Sequence, residues 1–243
     1  LLKAKLVQLE ENVHLFLCDV DHIAADGASI GILLSEMIQG YSGYDLSQLP
    51  MQYTDFILWQ NQRLDSAEMK KQEEYWLDVF KGTLPVLDLP TDEPRAAQMS
   101  NAGDVYTFEL SEELTALAKE TAVQHGVTLF MLLYAVYSTL LAKYANQEDI
   151  IIGTPSAGRQ SEEAQHMIGL FINTLALRTA PTEDKPFSTY LQEVKKHALE
   201  AYKHEDYPFE MLLNQLDVPR DRSRNPLFDV QFISQNFKGE PMS

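Results

Sequence analysis

Cysteine is almost absent from this chain, since Cys18 is the only one among 243 residues. A single cysteine cannot form an internal disulfide, and it excludes zinc sites that need several thiolates. Because Cys18 lies in an apolar run, we expect it to be a buried small hydrophobic residue and not a reactive thiol. This cysteine usage fits a reducing compartment, and we expect a cytoplasmic protein.

Basic residues are also scarce, with 19 lysines and arginines against 36 acidic residues and a net charge of −17. Such a charge repels phosphates, so we expect neither nucleic acid nor an anionic membrane as a partner. Long hydrophobic runs are missing too: no stretch approaches the ~20 apolar residues of a membrane span, and no signal peptide is visible. The 45% hydrophobic content is enough for a substantial core.

Apolar spacing and capping residues predict alternating helices and strands, which indicates an α/β or α+β fold. The predicted helices cover 28–40, 51–63, 66–81, 111–125, 128–144, 187–203 and 208–216. The predicted strands cover 4–9, 13–20 (buried), 105–110, 150–153, 170–178 and 227–234. In the helix 128–144 we expect the core to contain Phe130, Leu133, Tyr137 and Leu140.

A break in this pattern suggests two lobes. Residues 85–104 contain three prolines and a glycine, namely Pro85, Pro90, Pro94 and Gly103, and are the expected linker. It would divide the chain into an N-terminal lobe at 1–84 and a C-terminal lobe at 105–243. Because the chain opens without Met and inside a predicted hairpin, we expect a fragment of something longer.

The stretch Asp21–Gly27 (Asp-His-Ile-Ala-Ala-Asp-Gly) carries the first chemical signal. It places His22 at the end of a strand, where the backbone can fix an imidazole, and Gly27 lets the chain leave tightly. Taken alone, this motif describes a structural histidine more often than a catalytic one. Asp21, Asp26 and Ser29 also spell Asp-x-x-x-x-Asp-x-x-Ser, which implies a different chemistry.

Further signature blocks follow this motif along the chain. They are Tyr53–Gln60, Gly153–Arg159, Ile168–Thr174, His204–Glu210 and Arg222–Phe228. Their large aromatic side chains are expected in the core: Tyr53, Trp59, Phe171, Tyr207 and Phe228.

Taken in order, the blocks resemble the signatures of condensation domains from nonribosomal peptide synthetases. The family's opening motif is His-His-x-x-x-Asp-Gly, and its later motifs match residues 53–60, 168–174, 206–210 and 223–228. The connector 89–95 (Leu-Pro-Thr-Asp-Glu-Pro-Arg) is typical of the family as well. The resemblance implies two chloramphenicol-acetyltransferase-like lobes arranged in a V. It also implies a partial domain, because the family's domains are longer than this chain at both ends.

The resemblance also implies a reaction and its partners. An acceptor amine attacks a donor acyl or peptidyl thioester, and an amide forms. Both substrates are carried on 4′-phosphopantetheine by an upstream donor and a downstream acceptor carrier domain, with an adenylation domain alongside. The domain itself would bind no cofactor or metal, and its setting would be antibiotic biosynthesis in secondary metabolism.

The same resemblance assigns roles to individual residues. His22 occupies the catalytic position, either as a base or as a stabiliser of the tetrahedral intermediate. Asp26 corresponds to a structural carboxylate paired with an arginine of the other lobe, a position that Arg159 matches. Gly27 would lie where the pantetheine arm passes, since a side chain there would narrow the tunnel.

Two residues depart from the family pattern. Phe56 stands for the second tyrosine of the motif at 53–60, and Asp21 stands where the first histidine is expected, at a position usually regarded as structural. Three alternatives to a condensation domain therefore stay open. The first is a heterocyclization domain, to whose opening motif Asp21, Asp26 and Ser29 conform. The second is a non-catalytic carrier-docking fragment, and a weaker third is an acyltransferase that uses free coenzyme A.

Overall fold

The structure is a computed structural model that describes residues 1–100, 102–216, 218 and 221–235. Its elements are helices and two-stranded sheets, which confirms the predicted mixed α and β class, although α1 to α5 follow each other without an intervening strand. The chain divides into two compact units, one made of Leu1–Lys70 with Ala157–Asn173, the other of Lys71–Ser156 with the chain from Thr174 onwards. This division differs from the expected lobes at 1–84 and 105–243, which stay a prediction.

The first unit begins with an antiparallel hairpin of β1 (Leu2–Glu10) and β2 (Val13–Val20). Helices α1 (Gly27–Tyr41) and α2 (Tyr53–Arg63) follow, and a short 3-10 helix spans Glu163–His166. The core of this unit lies where α2 meets the segment from 164 to 171. Its buried members are Phe56, Ala164, Met167 and Phe171.

The expectation that 13–20 is a buried strand is wrong. Both hairpin strands are exposed, and so is Cys18. Among the described residues β1 and β2 pair only with each other, so apolar pairs such as Leu6 and Phe16 remain in solvent. An apolar run therefore predicted the strand but not its environment, because burial depends on what packs against the sheet.

Helix α3 (Ala67–Val79) leads into the second unit. This unit contains the helices α4 (Glu112–Gln124), α5 (Leu129–Ala145), α6 (Phe187–Lys203) and α7 (Phe209–Gln215), and the strands β3 (Ile150–Ser156) and β4 (Asn173–Thr179). β3 pairs with β4. The predicted N-caps are confirmed: the hydroxyls of Ser111 and Thr128 accept hydrogen bonds from Leu114 N and Met131 N.

Three predicted strands of this region need correction. Residues 105–110 form no strand, and Tyr106 and Phe108 are strongly exposed. The strand expected at 170–178 begins only at Asn173, because the amide of Phe171 before it bonds to Asp26, the N-cap of α1. The strand expected at 227–234 is reduced to a parallel bridge between Gly153 and Gln231.

The buried face of α5 also differs from the expected one. Leu140 is 48% exposed, and the other three residues expected in the core are half-buried. The buried residues are Met131, Leu132, Tyr134, Ala135, Ser138, Leu141 and Ala142. Because this helix is apolar on most sides, its spacing did not identify the core face.

In the part of the chain that the structure describes, no single helix is long and apolar enough to cross a membrane. Helices α4 and α5 meet that criterion only as a pair, and the pair is bent by 105°.

Candidate active site

His22 lies in a tight turn that directly follows β2. The amide of Ala24 donates to the carbonyl of Asp21 at 2.9 Å, which closes the turn, and Asp21 N donates to Leu1 O at 2.8 Å. Within the turn, Asp21 Oδ1 accepts a hydrogen bond from Ile23 N at 3.2 Å. His22 is exposed. The turn therefore exposes the imidazole of His22, and the bond from Asp21 N to Leu1 O fixes the first residue of the turn.

Asp26 holds the other side of this loop by capping α1. Its Oδ1 accepts from Ser29 N at 2.8 Å, the bond expected of an N-cap aspartate. Its Oδ2 accepts from Phe171 N at 3.1 Å, and its own amide donates to Gly169 O at 3.2 Å. His22 thus lies four residues before Asp26, a buried residue whose two carboxylate oxygens both accept hydrogen bonds. We call Asp26 the anchor of this loop.

Arg159 pairs with this anchor. Its Nη2 lies 2.9 Å from Asp26 Oδ1, and the two side chains are 6% and 5% exposed. The same nitrogen donates to Ser29 Oγ at 2.7 Å, while Nη1 donates to the carbonyls of Ala164 and Met167. Its guanidinium carbon lies 4.1 Å from the centre of the Phe171 ring. All these residues belong to the first compact unit.

The electrostatics of Asp26 follow from this bonding. Burial by itself raises the pKa of the carboxyl, but the hydrogen bonds from Ser29, Arg159 and Phe171 outweigh burial and lower the pKa overall. Asp26 is therefore an anion near neutral pH. Because both of its oxygens already accept hydrogen bonds, it is poorly placed to remove a proton from a substrate.

Ser29 is a site residue whose role the sequence did not reveal. Its hydroxyl donates to Gly169 O at 2.8 Å and accepts from Gly169 N at 3.0 Å, in addition to the bond from Arg159. Its exposed fraction is 0%. The sequence feature that could have pointed to Ser29 is its position three residues after the N-cap, which places it on the same side of α1 as Asp26.

Two glycines explain why signature blocks far apart in sequence can meet here. A Cβ on Gly169 would lie 2.2 Å from the ring of Tyr53, whose hydroxyl donates to Leu170 O at 2.7 Å. Gly158 has a φ of +63°, and a Cβ there would lie 2.0 Å from Phe171 O. Tyr53 and Gly158 therefore pack against the segment 169–171, whose Phe171 amide donates to Asp26.

The remaining expectations are met unevenly. A Cβ on Gly27 would meet no atom within 4 Å, so the space beside this glycine is open. Tyr53 is half-buried. The expectation that Trp59 belongs to the core is wrong, because it is 45% exposed and lies under the Arg63 guanidinium at 4.5 Å.

The later blocks lie in the second unit, where Tyr207 and Phe228 are buried as expected. Tyr207 N donates to Gln72 Oε1 at 3.0 Å, and Phe228 packs so closely on Gly153 that a Cβ there would lie 2.5 Å from its ring. Across the described ranges, no cluster of three or more His, Cys, Asp or Glu residues is arranged to hold a metal ion.

Comparisons with known proteins point to one family. A family model described as "Condensation domain" matches residues 1–243. The chain is 48% identical over 240 residues to bacitracin synthase 3 of Bacillus licheniformis, covering 99% of this chain and 4% of that protein. It is 49% identical over 236 residues to tyrocidine synthase 2 of Brevibacillus parabrevis, covering 97% of this chain and 7% of that protein.

Solved structures have the same fold. The X-domain from teicoplanin biosynthesis matches with a TM-score of 0.85 at 26% identity, over 95% of this chain and 54% of that one. A four-domain nonribosomal peptide synthetase bound to AMP and glycine matches with a TM-score of 0.85 at 23% identity, over 98% of this chain and 18% of that one. The chain spans about half of the X-domain chain and less than a tenth of the two synthases above. By its sequence match over 1–243, the chain belongs to the condensation-domain family.

Proposed function

We propose that this chain carries the catalytic histidine of a peptide-bond-forming condensation domain, an acyltransferase-type amide synthase. The observation that supports this most directly is the location of His22. It is exposed on a turn that the Asp26 anchor follows at a distance of four residues. A rigid support behind an accessible imidazole is what a residue acting on a passing substrate requires.

The proposed reaction joins two carrier-bound substrates. The amine nitrogen of the acceptor attacks the carbonyl carbon of the donor thioester, a C–N bond forms, and a tetrahedral intermediate results. Collapse of the intermediate breaks the C–S bond, and the sulfur leaves as a thiol that takes up the proton lost by the amine. A thioester is already activated, so alignment of the two reactants can supply roughly 7–11 kcal/mol of the barrier reduction.

His22 has two possible roles in this scheme, and both use the same exposed imidazole. It can accept the proton from the attacking amine, since histidine changes charge near neutral pH. It can also donate a hydrogen bond to the oxygen of the tetrahedral intermediate. Asp26 takes neither role, because Ser29, Arg159 and Phe171 occupy its oxygens.

The proposed partners are an upstream donor carrier domain, a downstream acceptor carrier domain and an adjacent adenylation domain. The carriers would bring the substrates on 4′-phosphopantetheine, and the open space at Gly27 beside the His22 turn is compatible with a slender arm. We place the reaction in the cytoplasm and in antibiotic-type secondary metabolism, as part of a longer synthetase.

The geometry disfavours heterocyclization chemistry by the Asp-x-x-x-x-Asp-x-x-Ser set. Asp26 and Ser29 are buried, and Arg159 contacts both of them. Asp21, by contrast, is exposed in its turn. These three side chains therefore do not share one accessible site, whereas His22 is accessible by itself.

The test is the substitution His22→Ala in the natural polypeptide that contains this chain, assayed with loaded donor and acceptor carriers. Mass spectrometry of the acceptor carrier should show product formation reduced by at least about a hundredfold, the lower range for loss of an acid–base group. His14→Ala is the matched control, because it removes an exposed histidine from β2, and it should leave the rate unchanged.

Two outcomes would contradict the proposal. Full product formation by His22→Ala would remove the histidine from the mechanism. Carrier binding by the wild type without any product, and without rescue by Asp21→His, would instead favour a non-catalytic docking role.

A further inference from the structure

Asp21 uses its side chain on its own backbone, in a way that bears directly on His22. Its Oδ1 accepts from Ile23 N at 3.2 Å, which is the Asx-turn arrangement, and its carbonyl accepts from Ala24 N at 2.9 Å. These two bonds enclose His22 and Ile23. The turn that presents the imidazole is therefore closed by the residue directly before it.

The two sides of the His22 loop are held by different means. Toward α1, Asp26 is buried and bonded to residues more than 100 positions away, among them Arg159. Toward β2 the loop is exposed, and the bond from Asp21 N to Leu1 O holds only its first residue, so the residues after Asp21 need a local restraint. A side-chain acceptor that can bond to the amide two residues ahead does this without any distant partner, and aspartate and asparagine have that geometry.

We propose that Asp21 is a positioning residue for His22, and that it acts through the acceptor oxygen of its Asx turn and not through its charge. The proposal rests on the proposed function, in which His22 acts on the substrates. It explains how aspartate can stand at a position where the family motif has histidine: the turn needs an acceptor two residues before Ile23, and Asp21 supplies one.

Three substitutions separate the acceptor from the charge. Asp21→Asn keeps the acceptor oxygen and removes the charge, whereas Asp21→Glu keeps the charge but moves the oxygen out by one methylene. Asp21→Ala removes both. If the Asx turn positions His22, Asp21→Asn should retain the product rate at saturating carrier. Asp21→Glu and Asp21→Ala should lower this rate about fivefold, the factor of one typical hydrogen bond.

The pH profile of the rate and the carrier KM give further readouts. For a positioning role the profile of Asp21→Asn keeps the wild-type midpoint, and KM is unchanged in all three variants. If Asp21→Glu retained activity and Asp21→Asn lost it, the charge of Asp21 and not its acceptor oxygen would support the rate, which would overturn the proposal. Equal rates in all variants would also overturn it.

Hydrogen exchange tests the turn independently of catalysis. The Ile23 amide should be protected in the wild type and in Asp21→Asn, and should exchange at least about fivefold faster in Asp21→Ala and Asp21→Glu. Unchanged protection in Asp21→Ala would refute the turn even in an inactive protein. A wild type that has the protected amide but makes no product would instead count against the proposed function alone.

Discussion

Arg159 and Asp26 form a buried ion pair, in which Nη2 of Arg159 lies 2.9 Å from Oδ1 of Asp26. The pair also joins segments that are 133 residues apart in sequence. Buried charges are tolerated when each finds several hydrogen-bond partners, and both of these do. The pair is therefore the point from which the stability of the site can be tested.

Arg159→Leu should destabilise the chain by about 3–5 kcal/mol, because it leaves the Asp26 carboxylate buried without its counter-charge. Urea denaturation followed by circular dichroism measures this change. Lys203→Leu is the control: Lys203 is 65% exposed in its pair with Glu200, so no resolvable change is expected. A loss as small as that of the control would show that the buried pair does not stabilise the fold.

The double variant Asp26→Asn with Arg159→Leu should lose less stability than the sum of the two single variants. Each single variant leaves one buried partner without its counterpart, whereas the double variant removes both charges. The two effects on stability are therefore not additive. The same denaturation measurements complete this double-mutant cycle, and strict additivity would indicate that the two side chains do not interact.

Asp26→Asn should also change how stability depends on pH. The pKa of Asp26 in the folded chain lies below its ordinary value of 3.8, so the unfolded chain binds a proton first as the pH falls. The stabilisation by the carboxylate is therefore complete above 3.8 and decreases as the pH drops through the folded-state pKa.

The stability difference between wild type and Asp26→Asn should accordingly shrink as the pH is lowered below 3.8. Urea midpoints over a series of pH values measure it. Asp45→Asn, which removes an exposed carboxyl, controls for the change in net charge. A difference that stays constant down to the lowest pH would contradict the lowered pKa.

Ser29→Ala should cost roughly 1–3 kcal/mol, because the buried amide and carbonyl of Gly169 lose their hydroxyl partner. Ser35→Ala makes the same substitution at an exposed position of the same helix, and should be neutral or slightly stabilising. Thermal unfolding of the two variants side by side tests the assignment, which fails if they behave alike.

Gly169→Ala should destabilise the chain by at least about 1–3 kcal/mol, since its Cβ would lie 2.2 Å from the Tyr53 ring. Gly31→Ala, in α1, meets no atom within 4 Å and should stabilise the helix by about 0.5–1 kcal/mol. The urea midpoint should therefore fall in Gly169→Ala and rise in Gly31→Ala. A neutral Gly169→Ala would mean that the Tyr53 contact is loose.

Helices and their ends were predictable from the sequence. α1, α4, α5 and α6 lie within a few residues of the predicted ranges, because helical spacing and N-caps depend on residues only three or four positions apart. Which face each helix buries was less predictable. In α5 apolar residues surround most of the axis, so the core face was set by the neighbouring elements.

Strands were predicted less well, because they too depend on the elements that lie beside them. A strand exists only with a partner, and the segment at 105–110 has the right composition but is not paired. The hairpin of β1 and β2 forms as predicted, yet its apolar side chains stay exposed. Composition favours an extended backbone but does not supply the second strand or the layer that covers it.

The sequence by itself determined the order of the signature blocks, the family to which they point and the residue at each motif position, including aspartate at 21. The tertiary structure alone decided what those residues do for each other. Ser29 bonds to Gly169, 140 residues away, and the Phe171 amide bonds to Asp26, 145 residues away. Local spacing cannot encode such contacts, because they arise only when α1 and the segment 157–173 fold against each other.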